Sequence, residues 1–272
     1  MSNFLHKNLK EKLLITLFLV AYVPIILWMW ERWFEENSYY SHGVLVPFVS
    51  LFLILGKKDI LQKLTPNPSR WGFRLFTVGI LIYWISASLH IYFSAGFSML
   101  LVILGLILHL YGEKTLKEVL FPILFLIFMI PLPLILVATF SFKLKILAAQ
   151  LATFVLNEIR LPAIQLASLI KMSHTYVVVE DACGGLKSLI SLTALGSLFA
   201  YQIKTNSIKK TILFVSAIPI AVLTNAARIV FLAAIGEIWG IQYAQGFLHH
   251  FSGYLVFTFA FLLLFAIKEL LE

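Results

Sequence analysis

The chain has 272 residues, of which 61% are hydrophobic and 12% charged, and its mean hydropathy is +0.95. Soluble domains average about 45 to 50% apolar and about 25% charged residues, so this composition excludes an ordinary soluble domain and places the chain in a membrane. The net charge of +8 does not make it a nucleic-acid binder. Its basic residues fall in short runs between apolar segments (Lys7, Lys10, Lys12; Lys57, Lys58, Lys63; Lys204, Lys209, Lys210), the pattern of cytoplasmic loops and not of a binding stripe.

A helix crossing ~30 Å of hydrocarbon needs roughly 20 apolar residues. Eight segments are predicted to do so: 13–30, 39–56, 73–90, 95–111, 119–137, 186–203, 211–235 and 249–267. The first runs into Trp28 and Trp30 without a small-residue cleavage site and reads as a retained span, not a signal peptide. The distribution of Lys and Arg puts the N-terminus, the 57–74 loop, the 112–118 turn, the 204–210 loop and Lys268 on one side, which is cytoplasmic by the positive-inside rule. The opposite side receives Glu31, Glu35 and Glu36, the long segment 138–185 and the loop 236–248.

Pro122, Pro131 and Pro133 crowd the fifth segment, and Ile-Pro-Leu-Pro at 130–133 should end or kink it near the outer face. Beyond it, Phe140, Leu144, Leu147, Leu151, Phe154 and Val155 recur at helical spacing, with Lys143, Lys145, Gln150, Thr153 and Asn157 between them. The segment 138–158 therefore reads as an amphipathic helix in the outer interface; a ninth span is disfavoured by the two lysines. The β-branched run Val177-Val178-Val179, with looser alternation before it, predicts a short outer hairpin over 163–179. No internal repeat is visible. The expected fold is an all-α polytopic membrane protein with about eight transmembrane helices, one outer-face amphipathic helix and a short hairpin before Cys183, forming one domain over 1–272.

On this topology three helices deliver chemistry to one face. Cys183, the only cysteine, lies just before the sixth span turns helical. Arg228 stands 17 residues beyond Thr211, ~26 Å up the seventh span at ~1.5 Å per residue. His249 and His250 open the eighth span. Each has a plain structural alternative: a lone cysteine is often a small buried hydrophobe, an intramembrane arginine can snorkel to headgroups, and interfacial histidines are common polar boundary residues. Against these, Cys183 sits among Asp181, Gly184 and Gly185 at a helix start, where the helix N-terminus and a nearby cation lower a thiol's pKa. The two glycines leave backbone N–H groups accessible to a reacting carbonyl. Asn225, one turn before Arg228, could orient it. A thiol, an imidazole and a fixed cation are together what acyl transfer requires.

These stretches resemble the exosortase family of integral membrane cysteine transpeptidases, relatives of the archaeosortases. Ala182 to Ser188 is similar to the family's Ala-Cys-Ser-Gly-Leu-Arg-Ser stretch, Asn225 to Ile229 to its Asn-x-x-Arg-Ile, and His249 to Gly253 to its His-x-x-x-Gly. Tyr40-Ser41-His42-Gly43 and the prolines at 131 and 133 are further similarities. The resemblance implies Cys183 as the nucleophile of a cysteine peptidase or transpeptidase, Arg228 as the cation and His249 as general acid or base, with His250 as the runner-up. Asp181, Gly184, Gly185, Ser188, Asn225, Gly253 and His42 are the expected supporting residues. Gly184 and Lys187 depart from the family's serine and arginine. The implied substrates are the C-terminal sorting signals of exported proteins, made of a short motif (Pro-Glu-Pro in the best-known class), an apolar helix and a basic tail. A surface glycan or lipid is the expected acceptor. The implied location is the bacterial inner membrane, multi-pass, with the active site on the periplasmic face. No cofactor or metal is implied, and no His-Glu-x-x-His or Gly-x-Ser-x-Gly pattern offers a metalloprotease or serine protease instead. The alternative from another class is a non-enzymatic membrane component of surface polysaccharide export or assembly, with Arg228 and the histidines lining an aqueous path.

Overall fold

The computed structural model describes residues 2–180, 184–244 and 246–272. It divides into two compact units that meet in sequence at Pro131 and Leu132.

The first unit is helical. It comprises α1 (Ser2–Phe34), a 3-10 turn (Ser41–Val44), α2 (Val46–Leu55), α3 (Lys58–Lys63), α4 (Arg70–Ser88), α5 (Tyr92–Leu110) and α6 (Glu113–Phe125), which tightens into a second 3-10 turn over Leu126–Met129. Helices α4 and α5 pack closely because glycines remove the side chains between them. A Cβ at Gly105 would lie 2.4 Å from the backbone nitrogen of Phe76, and one at Gly72 would lie 2.2 Å from that of His109. Small residues allow such backbone approach where lipid removes the hydrophobic incentive to associate. Elsewhere the unit is tied by polar side chains reaching backbone carbonyls. Ser50 Oγ donates to Pro122 O (2.8 Å), and Lys57 Nζ donates to Glu118 O (2.7 Å) while pairing with its carboxylate (3.0 Å).

The second unit begins with α7 (Leu134–Glu158), then a three-stranded sheet of β1 (Ala163–Leu166), β2 (Leu169–Met172) and β3 (Tyr176–Val178). Three helices follow, α8 (Leu186–Gln202), α9 (Ser207–Trp239) and, after the short α10 (Ile241–Ala244), α11 (Phe247–Leu271). The sheet is antiparallel in the order β1-β2-β3. It is held by an apolar cluster in which Ala148, Ala149, Ala152 and Leu156 of α7 and Ile229 and Ala233 of α9 meet Ala163, Ile170, Met172 and Val179. A second cluster joins Leu192 of α8, Leu213, Ala217 and Ala221 of α9, and Ala260 and Leu264 of α11 into a three-helix bundle.

Among the described residues six helices are long and apolar enough to cross a membrane: Thr16–Phe34 within α1, α4, α5, α7, α9, and Phe251–Leu271 within α11. The all-α polytopic reading stands, with differences in individual spans. The expected second span is only the 10-residue α2 behind its 3-10 turn. The fifth stops early: Ile130 is extended and Pro133 opens the next helix, because proline forbids continuation of α6 and suits a helix start. The sixth, α8, has 17 residues between Gly185 and an extended Ile203. Conversely α7 starts four residues before the expected interfacial helix and reaches 25 residues, a length and composition sufficient to span despite Lys143 and Lys145. The hairpin expected over 163–179 is present and carries one strand more.

Candidate functional site

The bundle of α8, α9 and α11 fixes three chain segments at one end. Gly185, with φ +83°, immediately precedes α8. Glycine reaches this left-handed conformation without steric cost, and space demands it as well. A Cβ there would lie 3.0 Å from Nδ2 and 3.1 Å from Cγ of Asn225 on α9. Gly184 is buried, and with Gly185 and Leu189 it meets Leu144 and Ala148 of α7 and Val222 and Asn225 of α9 around a small void. Leu189 N donates to Gly185 O (2.9 Å), closing the first turn of α8.

Arg228 stands one turn beyond Asn225 on α9 and is 8% exposed. A buried guanidinium must find acceptors, and it finds them in the first turn of α11. Nε donates to Ser252 Oγ (3.0 Å) and Nη2 donates to the carbonyl oxygen of His249 (2.8 Å), while Ser252 Oγ donates to the same carbonyl (2.8 Å). The guanidinium lies over Gly253, where a Cβ would be 3.6 Å from Nη2. Nη1 has no partner among the described residues. Arg228 is therefore not snorkelling: it is clamped across two helices.

His249 is half-buried and lines a groove of about 580 Å³. The other walls are residues 174–180 along β3, Ile229 and Leu232 of α9, and Ile241, Ala244 and Gly246. At the far end Glu237, in the last turns of α9, accepts from His174 N (3.0 Å) and Thr175 N (3.1 Å) and pins the turn between β2 and β3.

Of the sequence-predicted residues, the structure brings Gly184 and Gly185 to Asn225, and His249 and Gly253 of α11 to Arg228, Asn225 and Arg228 standing one turn apart on α9. Asp181 and Cys183 lie outside the described residues, as does the side chain of His250. Ser188 is half-buried on the first turns of α8, and Lys187 is exposed. Asn225 meets Gly185, a role that the spacing to Arg228 does not suggest. His42 belongs to the first unit, in the 3-10 turn whose Gly43 lies against the indole of Trp33. Trp33 Nε1 in turn donates to Met129 O (2.8 Å), and His42 stacks on Tyr40 at 6.1 Å between ring centroids.

Two residues escaped the sequence reading. Ser252 could have been found, since it follows His249 by three residues and shares its helix face. Glu237 carries no local signal, because its partners are backbone N–H groups more than 60 positions earlier.

The fold and this clamp define a polytopic helical membrane protein with a buried arginine fixed beside a histidine at one end of a three-helix bundle. The transmembrane exosortase family model (Exosortase_EpsH) matches residues 30–266, and the chain belongs to that family. Membership supports a membrane role related to protein sorting. No curated protein and no solved structure matches the chain. Among the described residues no group of His, Cys, Asp and Glu could hold a metal ion.

Proposed function

We propose that the chain is a membrane cysteine transpeptidase acting on the C-terminal sorting signals of exported proteins. The observation that supports this best is the clamp of Arg228 on the backbone carbonyl of His249. It fixes a cation against the helical turn that carries the imidazole, at the end of the bundle where Gly184, the residue after Cys183, is packed against α9.

In this reaction His249 takes the proton of Cys183, and the imidazolium and Arg228 together hold the thiolate. The sulfur attacks the peptide carbonyl of the sorting signal next to its apolar span. An S–C bond forms, negative charge gathers on the carbonyl oxygen, and Nη1 of Arg228 and backbone N–H groups at the start of α8 are suited to receive it. Collapse of the intermediate breaks the C–N bond, and the imidazolium gives its proton to the leaving amine, which departs with the apolar span and basic tail. The thioester left on Cys183 is attacked by an acceptor nucleophile on a surface glycan or lipid, whose proton passes to the now neutral His249. The C–S bond then breaks and the thiolate returns. An oxyanion donor contributes typically ~2.7 to 4 kcal/mol to such a step.

The positive-inside pattern supports an extracytoplasmic site. Arg228 is the twenty-second residue of α9, whose first turns carry Lys209 and Lys210. At 1.5 Å per residue it lies about 32 Å from the start of that helix, close to the hydrocarbon thickness. The substrate's scissile segment, just outside its own membrane span, meets the site at that level.

The test is processing of a tagged substrate in cells. Cys183→Ala and Cys183→Ser are expected to leave it full-length. Normal maturation by either variant would refute the nucleophile assignment and the activity with it.

A further inference from the structure

Strand β3 is the outer strand of its sheet, paired among the described residues with β2 alone. The phase of that pairing is fixed by two flanking bonds: Val179 N donates to Ser168 O (2.9 Å) and Met172 N donates to Thr175 O (2.9 Å). With Ile170 opposite Val177, Val177 turns its N–H and C=O groups towards β2, as do the Thr175 C=O and the Val179 N–H, while the Thr175 N–H is held by Glu237. The N–H and C=O groups of Tyr176 and Val178 therefore point away from β2. The groove lies on that side. Side chains of a strand alternate between faces, so a groove over one face would touch every second residue; here each residue from 174 to 180 lines it.

Geometry at the two ends says what the groove can take. Glu180, its last strand-side residue, is followed in sequence by the segment leading to Cys183, and His249, held by Arg228, lines it too. The edge is thus continuous with the candidate site. Exposed N–H and C=O groups repeating every second residue, roughly 7 Å apart, match an extended polypeptide backbone; sugars and acyl chains have no such repeat. Ile229, Leu232 and Val177 supply an apolar lining for alternate side chains.

We propose that the substrate segment on the N-terminal side of the scissile bond binds in this groove as an added strand, parallel to β3. Backbone pairing of this kind gives affinity that depends little on sequence, while pockets beside it select side chains. The direction follows from the chain ends. β3 leads in sequence to Cys183, as the substrate leads in sequence from its exported domain to its scissile bond. The substrate's apolar span then continues into the membrane, away from Ile229, Leu232 and Glu237, which lie at and beyond the level of Arg228 towards the C-terminal end of α9. The seven-residue wall, at ~3.3 Å per residue, is long enough for about six substrate residues. The proposal rests on Cys183 as the nucleophile, because that sets which substrate segment faces the groove.

Cross-linking tests it, since Cys183 is the only cysteine. In a Cys183→Ala background, Val178→Cys would be expressed with a reporter that the unaltered chain cleaves, an exported domain ending in a Pro-Glu-Pro motif, an apolar span and a basic tail. Single cysteines would be placed at each of the six residues before the reporter's cleavage point. Disulfide formation is expected at every second position, with the strongest link moving two residues towards the reporter's N-terminus when Tyr176→Cys replaces Val178→Cys. Linking without alternation, linking only beyond the cleavage point, or no linking would overturn the proposal. Processing by the Cys183→Ala chain is read in the same cells and refutes the nucleophile instead, so the two failures are distinguishable.

Discussion

Arg228 and Ser252 are joined by a 3.0 Å hydrogen bond from Nε to Oγ, and both also bond to the carbonyl oxygen of His249. That carbonyl is in the first turn of α11, at the end of the helix where the backbone offers surplus N–H donors and not surplus acceptors. The buried cation thus takes two acceptors from one helical turn, and the turn that carries the imidazole is fixed by the cation.

Ser252→Ala removes one of the two acceptors of a buried guanidinium. A hydrogen bond to a charged group contributes about 1.5 to 3 kcal/mol, so substrate processing should fall about tenfold or more at 1.36 kcal/mol per decade. Ser252→Thr keeps the hydroxyl and should retain most of the activity. Arg228→Lys keeps the charge but not the fork that reaches two acceptors in fixed directions, and should lose about 10² in rate. Processing rates normalised to the amount of membrane-inserted protein check all three. Equal activity of Ser252→Ala and the unaltered chain would show that Ser252 does not position the arginine.

Two glycines of the site should respond unequally to the same methyl group. At Gly185 an alanine meets both a left-handed backbone and Asn225 at 3.0 Å; the backbone alone costs about 1 to 2 kcal/mol. At Gly253 the added carbon sits 3.6 Å from the guanidinium, an ordinary contact on a regular helix. Gly185→Ala should therefore lower processing by about tenfold, and Gly253→Ala should leave it within about twofold. Gly253→Leu, by contrast, places atoms where the guanidinium lies and should inactivate. The comparison is made by measuring substrate cleavage at matched expression.

Assembly of the first unit should depend on the contact of α4 with α5. A Cβ at Gly105 would lie 2.4 Å from Phe76 N and 2.7 Å from its Cα, and backbone atoms cannot yield as a side-chain tip can. Gly105→Ala should force the helices apart and reduce the yield of detergent-soluble protein, with thermal aggregation at a lower temperature. Gly56→Ala is the control, since its nearest atoms are at 3.5 and 3.6 Å.

Much of this was legible beforehand because membrane helices announce themselves by composition and length. The prolines at 131 and 133 do break the chain, and the run Val177-Val178-Val179 lies in and beside β3. The convergence of Arg228 with His249 follows from span arithmetic. What composition could not convey was depth and partner. Segment 138–158 has lysines that suggest an interfacial helix, yet its alanines at 148, 149 and 152 are an interface with the sheet and α9, and helical periodicity does not distinguish a lipid face from a protein face. Asn225 at one turn from Arg228 suggests orientation of the guanidinium, and its packing against Gly185 is a further role that the spacing does not reveal. Such long-range pairings are decided by packing, for which the sequence carries no local mark.

The carboxylate of Glu237 accepts from the N–H groups of His174 and Thr175 and thereby ties the β2–β3 turn to α9. Those bonds fix the far end of the groove relative to Ile229 and Leu232. Glu237→Gln retains one carbonyl acceptor in nearly the same shape but loses the charge that strengthens both bonds. Glu237→Ala leaves both N–H groups to solvent. The expected order of processing is unaltered chain, then Glu237→Gln, then Glu237→Ala, with the alanine variant down by about tenfold for two bonds at about 1 kcal/mol each, partly replaced by water. Because the carboxylate is remote from the reacting atoms, the loss should appear as weaker substrate capture, restored by raising substrate expression. A protease added from the outer face should nick the 173–175 turn faster in Glu237→Ala than in the unaltered chain. An unchanged nicking rate together with full processing would mean that the turn is held by the apolar cluster around Ile170 and Met172 alone.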